Sequence, residues 1–135
     1  MEDTIAKAQS LAGKYAVSPK VLEKQQIQIN ASSPDGFSFS LIVYGSEYVL
    51  GFGDWHQSFD EQEEALLAFE KCLSGEAQLR DVTSFNVPCQ GTLEILGSSE
   101  LRPQVRYVMV SVFALLLFPF PKREKVYRNS FIRAS

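Results

Sequence analysis

The sequence predicts an α+β domain on a mostly antiparallel sheet of about six or seven strands, with two helices packed on one face. Three observations lead there. Residues 3–16 and 60–74 repeat apolar side chains at helical spacing. Much of the remainder alternates apolar and polar residues in short runs parted by Gly, Pro, Asp and Ser. These runs follow one another as hairpins rather than alternating with helices, which makes neighbouring strands antiparallel.

In the first helix, 3–16, Ile5, Ala8, Leu11, Ala12 and Tyr15 share one side, and Asp3 or Thr4 is placed to cap the free N–H groups. Ser18-Pro19 ends it, because a residue before proline is pushed out of the helical region. From Lys24 the run Gln-Ile-Gln-Ile-Asn alternates as a strand, and the polar cluster 32–36 turns the chain. Residues 37–53 carry the clearest local signal. Two apolar runs flank Gly45-Ser46, a pair suited to a two-residue turn whose first position needs positive φ. Counting outward opposes Tyr44 to Glu47, Val43 to Tyr48, Leu41 to Leu50 and Phe39 to Phe52, so the last three pairs share the core face. Ser38, Ser40, Ile42, Val49, Gly51 and Gly53 take the other face, where small groups let another element or a ligand approach.

The second helix, 60–74, buries a stripe of Ala65, Leu66, Phe69, Cys72 and Leu73. Ser58 with Glu61, or Asp60 with Glu63, has capping-box spacing, and Lys71 and Gly75 mark the far end. Glu61, Glu63 and Glu64 fall in the first turn, where the helix dipole favours a solvated acidic face over a metal site. Residues 78–86, 92–96 and 105–113 read as further strands, with 87–91 and 97–103 as loops. The β-branched run 105–112 reads as a central strand, and 113–118 as its continuation or a buried helical turn. The basic stretch 122–131 reads as a charged edge strand.

With 135 residues, 45% hydrophobic and 21% charged, the chain reads as a single domain, 1–135, and not as a disordered or fibrous one. Its start, MEDTIAKAQS, lacks the basic-then-apolar pattern of a secretory signal, and the apolar run 108–118 falls short of the ~20 residues of a membrane span. A cytoplasmic protein without membrane association is expected. Two cysteines, Cys72 and Cys89, and one histidine supply neither a disulfide framework nor a zinc site, and no cofactor motif is present. Charge is uneven. Residues 1–100 hold 6 Lys/Arg against 15 Asp/Glu, net −9, and residues 101–135 hold 7 against 1, net +6. Opposite signs in one chain pair within the fold or across a homodimer, so Lys122, Arg123, Lys125 and Arg128 form a candidate partner patch beside the apolar stretch 105–120. Tyr127 and Phe131 among these cations suit nucleic acid, but a pI near 5.2 opposes it.

The loop expected between strand and second helix holds the only Trp and the only His, making Asp54, Trp55 and His56 the candidate ligand-binding residues. His56 suits a general base or a ligand contact, with Asp54 orienting it and Trp55 as an apolar wall. As packing, Trp55 and Phe59 plug the helix against the sheet while Asp54 and His56 bond local backbone. The Gly51-Phe-Gly53 segment lacks the third glycine of a dinucleotide site. The expected function is a non-enzymatic binding or regulatory domain that recognises a protein or small ligand and self-associates. The alternative is a small hydrolase using His56 with Asp54 or Cys89.

The stretch Gly53-Asp-Trp-His-Gln-Ser-Phe-Asp-Glu-Gln-Glu-Glu-Ala65, followed by Leu73-Ser-Gly75, resembles small uncharacterised bacterial single-domain proteins, including those carried on mobile gene cassettes. The resemblance implies an α+β domain and carries over no catalytic residue.

Overall fold

The computed structural model describes residues 2–15, 19–22, 25–31, 33–53, 55–96, 103–111, 113–117 and 120–129. Helix α1 spans Glu2–Gly13, and five strands follow: β1 (Lys20–Leu22), β2 (Gln26–Ile29), β3 (Phe39–Tyr44), β4 (Glu47–Phe52) and β5 (Trp55–Phe59). Helix α2 (Gln62–Ser74) leads to β6 (Ala77–Ser84), β7 (Val87–Leu96), β8 (Pro103–Val110), the short helix α3 (Phe113–Leu116) and β9 (Arg123–Arg128).

Among the described residues the strands form two antiparallel sheets, where a single sheet was expected from the sequence. The first has the order β1-β2-β3-β4-β5 and the second β8-β7-β6-β9. The division falls at α2. Gly75 ends that helix at φ 79°, and the chain leaves it to start a new meander instead of returning to the edge of the first sheet.

In the first sheet the hairpin register is the one that counting from Gly45-Ser46 predicts, including Phe39 opposite Phe52. Carrying the register across the strands aligns Ile29, Phe39, Phe52 and Trp55 in one row, and Ile27, Leu41, Leu50 and Gln57 in the next. This face is the core. Ile27, Leu41, Leu50 and Phe52 are fully buried, and Phe39 meets Phe69 of α2 edge to face, with ring centres 5.3 Å apart. Both helices pack here, α1 on β2 and β3, and α2 on β3, β4 and β5 and also on β6. Ala77, Leu79, Leu93 and Ile95 of the second sheet join the same core. The rows Lys20, Gln28, Ser40, Gly51, His56 and Leu22, Gln26, Ile42, Val49, Ser58 take the outer face.

Several local expectations are corrected. The segment 55–59 is a strand rather than a loop: Phe52 opposes Trp55, so the connection is two residues long and starts at Gly53 with φ 58°. The segment 87–91 also belongs to a strand. The turn before it is Phe85-Asn86, both at positive φ (52° and 65°), the geometry of a two-residue hairpin. Pro88 fits inside β7 because a bulge lies beside it. Val82 pairs with Gln90 and Thr83 with Pro88, which leaves Cys89 as the extra residue. β8 is an edge strand rather than a central one, and its apolar content includes Val108 and Val110, exposed at 52% and 63%. The stretch after it turns into α3, and β9 is the charged edge that the basic tail predicts.

The helix caps also differ. α1 already contains Thr4, whose buried hydroxyl donates to Gln62 Oε1 at 2.7 Å and ties the two helix starts together. α2 is capped at Glu61 without a side-chain hydrogen bond, because β5 runs to Phe59 and holds Ser58 in the sheet. Buried Asn129, just after β9, joins three elements: its Oδ1 accepts from the Phe37 N–H at 2.9 Å, and its Nδ2 donates to the Cys72 carbonyl at 3.4 Å.

Replacing fully buried Phe52 by alanine opens a cavity at the centre of the shared core. The expected loss is about 3–5 kcal/mol, measured by urea unfolding.

Candidate functional site

Period-two alternation in β5 decides what its two unusual residues can do. Trp55, Gln57 and Phe59 face inward, while His56 and Ser58 face out. Trp55 and His56 therefore lie on opposite sides of the sheet and do not form one site. His56 is exposed opposite Gly51, in a row with Ser40 and Gln28. Asp54 lies outside the described residues.

Trp55 reaches across to the second sheet. Its indole N–H donates to Asp81 Oδ1 of β6 at 3.2 Å, and its ring lies on the backbone of Gly91 in β7. A Cβ at Gly91 would stand 2.3 Å from the indole, so only glycine admits the ring there. Nearby, Phe59 meets Tyr107 of β8 edge to face at 5.3 Å. The packing reading of Trp55 thus describes its geometry, though it is the second sheet that receives the ring.

Beside this contact a cleft of about 340 Å³ opens between the sheets, lined by Phe37, Ser38, Gly53, Leu79, Asp81 and Tyr127 among others. Its rim is held from several sides. The Gly53 N–H donates to the Ser38 carbonyl at 2.9 Å, the Ala31 N–H to Ser38 Oγ at 3.1 Å, and the Arg128 N–H to the Asp35 carbonyl at 2.8 Å. Lys125 stands opposite Asp81 across the β6–β9 pair, with its ammonium 4.8 Å from the centre of the Tyr127 ring. No family model, curated protein or solved structure matches this chain. The site is therefore read from its own geometry.

The four cations of the expected partner patch are distributed rather than gathered. Lys122 Nζ donates to the carbonyls of Leu117 and, at 2.8 Å, Phe120. Arg128 Nε donates to the Gly75 carbonyl at 2.5 Å, Lys125 sits over Tyr127, and Arg123 lies beside Phe85 and Pro121. On the outer face of the second sheet, Arg80 bridges Glu94 (3.0 Å) and Glu124, and Gln78 donates to the same Glu94 oxygen at 3.0 Å. Those contacts serve an acid only 3% exposed.

Cys89 is buried in the bulge, its thiol 3.5 Å from the Val87 carbonyl, and among the described residues no hydrogen bond joins it to His56. Cys72 is fully buried, and that burial pushes its thiol far above the ordinary range. At the far end of the second sheet an apolar group is exposed: Val108, Val110, Phe113, Leu116, Phe85 and Phe120, the last two with ring centres 5.4 Å apart. Among the described residues no helix is long and apolar enough to cross a membrane.

Sequence reading missed Asp81 and took Tyr127 only as a stacking residue of the basic tail, not as part of a cleft. Asp81 sits in a strand without any local mark, and the one usable signal was Gly91, a glycine within a strand run that admits a close neighbour.

Gly91→Ala should force the indole off β7, with a loss of about 1–3 kcal/mol and a red-shifted Trp55 emission, read by unfolding and fluorescence. Cys72 should label with a thiol reagent many-fold more slowly in the native protein than in denaturant, followed by mass spectrometry.

Proposed function

We propose that the chain is a cytoplasmic, non-catalytic binding domain that self-associates as a two-fold dimer through β8 and α3. The observation that carries this reading is the exposed apolar group at that end of the second sheet: Val108 at 52%, Val110 at 63%, Phe113 at 46% and Leu116 at 69%. Contiguous exposed apolar surface on a protein otherwise rich in surface charge marks an interface.

The contrast between the two edges of the second sheet supports the same reading. β9 carries Arg123, Glu124, Lys125 and Arg128, charges that discourage another strand from pairing with it. The outer part of β8, Tyr107 to Val110, carries none, and its free edge can pair with the same strand of a second copy. A two-fold axis beside β8 would bring the same apolar surface together from both chains. Lys122, Lys125 and Arg128 have partners inside the chain, so apolar contact rather than charge drives the association. Two free cysteines fit a reducing compartment.

Light scattering at micromolar concentration should give twice the mass of one chain. Val110→Lys and Leu116→Asp, both at exposed positions, should give a single-chain mass with an unchanged circular dichroism spectrum. A wild-type monomer at every concentration rejects the reading.

A further inference from the structure

We infer that the cleft between the two sheets binds a small organic cation, an ammonium or guanidinium group on a short apolar body, with Asp81 as its charge partner. The site is separate from the β8–α3 surface and does not depend on self-association.

The argument starts from the carboxylate. Trp55 fixes Asp81 by donating to Oδ1, and among the described residues no hydrogen bond or ion pair reaches Oδ2, although Asp81 lines the cleft. A carboxylate oriented by one bond and open at its other oxygen is a ready acceptor for N–H donors, and charge-assisted bonds are about twice as strong as neutral ones. The walls suit the rest of such a molecule. Phe37 and Leu79 are buried apolar surfaces, and Tyr127 presents an aromatic ring. Lys125 shows that this ring accepts a cation, since its own ammonium lies 4.8 Å from the centre.

The sign of the ligand follows from which charge faces the space. Asp81 lines the cleft and Lys125 does not, and no ion pair within 4.0 Å joins them. Lys125 is thus the nearby charge that a cationic ligand must tolerate. A volume of about 340 Å³ lies at the small end of the ~300–1,000 Å³ range of small-molecule sites. That suits an amine of a few carbons rather than a nucleotide. Gly53 helps to keep the space open: its φ is 58°, and a Cβ there would stand 2.9 Å from Leu79 Cδ2.

The test uses n-butylamine and n-butylguanidinium as cations and n-butanol as their neutral counterpart. Trp55, the only tryptophan, reports through its fluorescence, and calorimetry gives the affinity. Saturable binding of the cations and none of the alcohol is expected. Asp81→Asn keeps an acceptor for the indole and should weaken binding about tenfold or more. Lys125→Gln, on an exposed strand position, should tighten it a few-fold and stands independently if the Asp81 variant fails to fold. Equal binding of butanol, an unchanged affinity in a folded Asp81→Asn variant, weaker binding in Lys125→Gln, or no saturable response to either cation overturns the proposal.

Discussion

Among the described residues no strand of one sheet pairs with a strand of the other, and beyond the bond from the Arg128 N–H to the Asp35 carbonyl their mutual placement rests on side chains, of which the contact of Trp55 with Gly91 and Asp81 is the most constrained. The magnitudes separate two roles. A hydrogen bond to a charged group contributes about 1.5–3 kcal/mol, and the Phe59–Tyr107 pair about 0.5–1.5 kcal/mol beyond its burial. Burial of Leu79, Leu93 and Ile95 in the common core, at about 1.5–3 kcal/mol each, is the larger sum. The core therefore holds the sheets together. Trp55 decides where they meet, because a flat ring with one directional N–H fits only over a residue without a side chain and beside an acceptor.

The cleft is a consequence of that placement. With Trp55 on Gly91, the turn at Gly53 comes to stand against Leu79, and the 33–38 segment folds over to bond Arg128 and Asn129 at the end of β9. β9 touches both notable regions of the molecule. Its first residue, Arg123, lies by the exposed Phe85, and its last turn inward, Tyr127, lines the cleft. In β6–β8 the two regions take opposite faces of the second sheet, Leu79 and Asp81 inward and Val108 and Val110 outward, which lets one take a partner while the other stays open.

Charge along the chain is absorbed in a way that composition does not reveal. The basic final stretch does not form a single face, because a strand turns successive residues to opposite sides: Lys125 goes inward to Tyr127, while Glu124 goes outward to Arg80. Lys122 and Arg128, just outside and at the end of the strand, donate to the carbonyls of Leu117 and Phe120 and to that of Gly75 after α2. Lys122, Arg123, Lys125 and Arg128 are thereby spread over separate surroundings.

What the sequence determined by itself was local: two amphipathic helices, the Gly45-Ser46 hairpin with Phe39 against Phe52, the left-handed Gly75 at the end of α2, and the α+β class. Each depends on neighbours a few residues away, through helical or period-two spacing and the freedom of glycine at positive φ. The hairpins at Gly53 and Phe85-Asn86 were harder to see. One begins a strand where a helix approach was expected, and the other places a phenylalanine at φ 52°, a position it seldom takes. Tertiary structure alone decided that the strands divide into two sheets, that β8 lies at an edge, and that Trp55 and His56 part to opposite faces. It also brought Asp81, 26 residues beyond Trp55, to the indole, and Tyr127 to the same cleft. Residues this far apart meet only once the core has formed, and period-two alternation says which side of a strand a residue takes without saying what waits there.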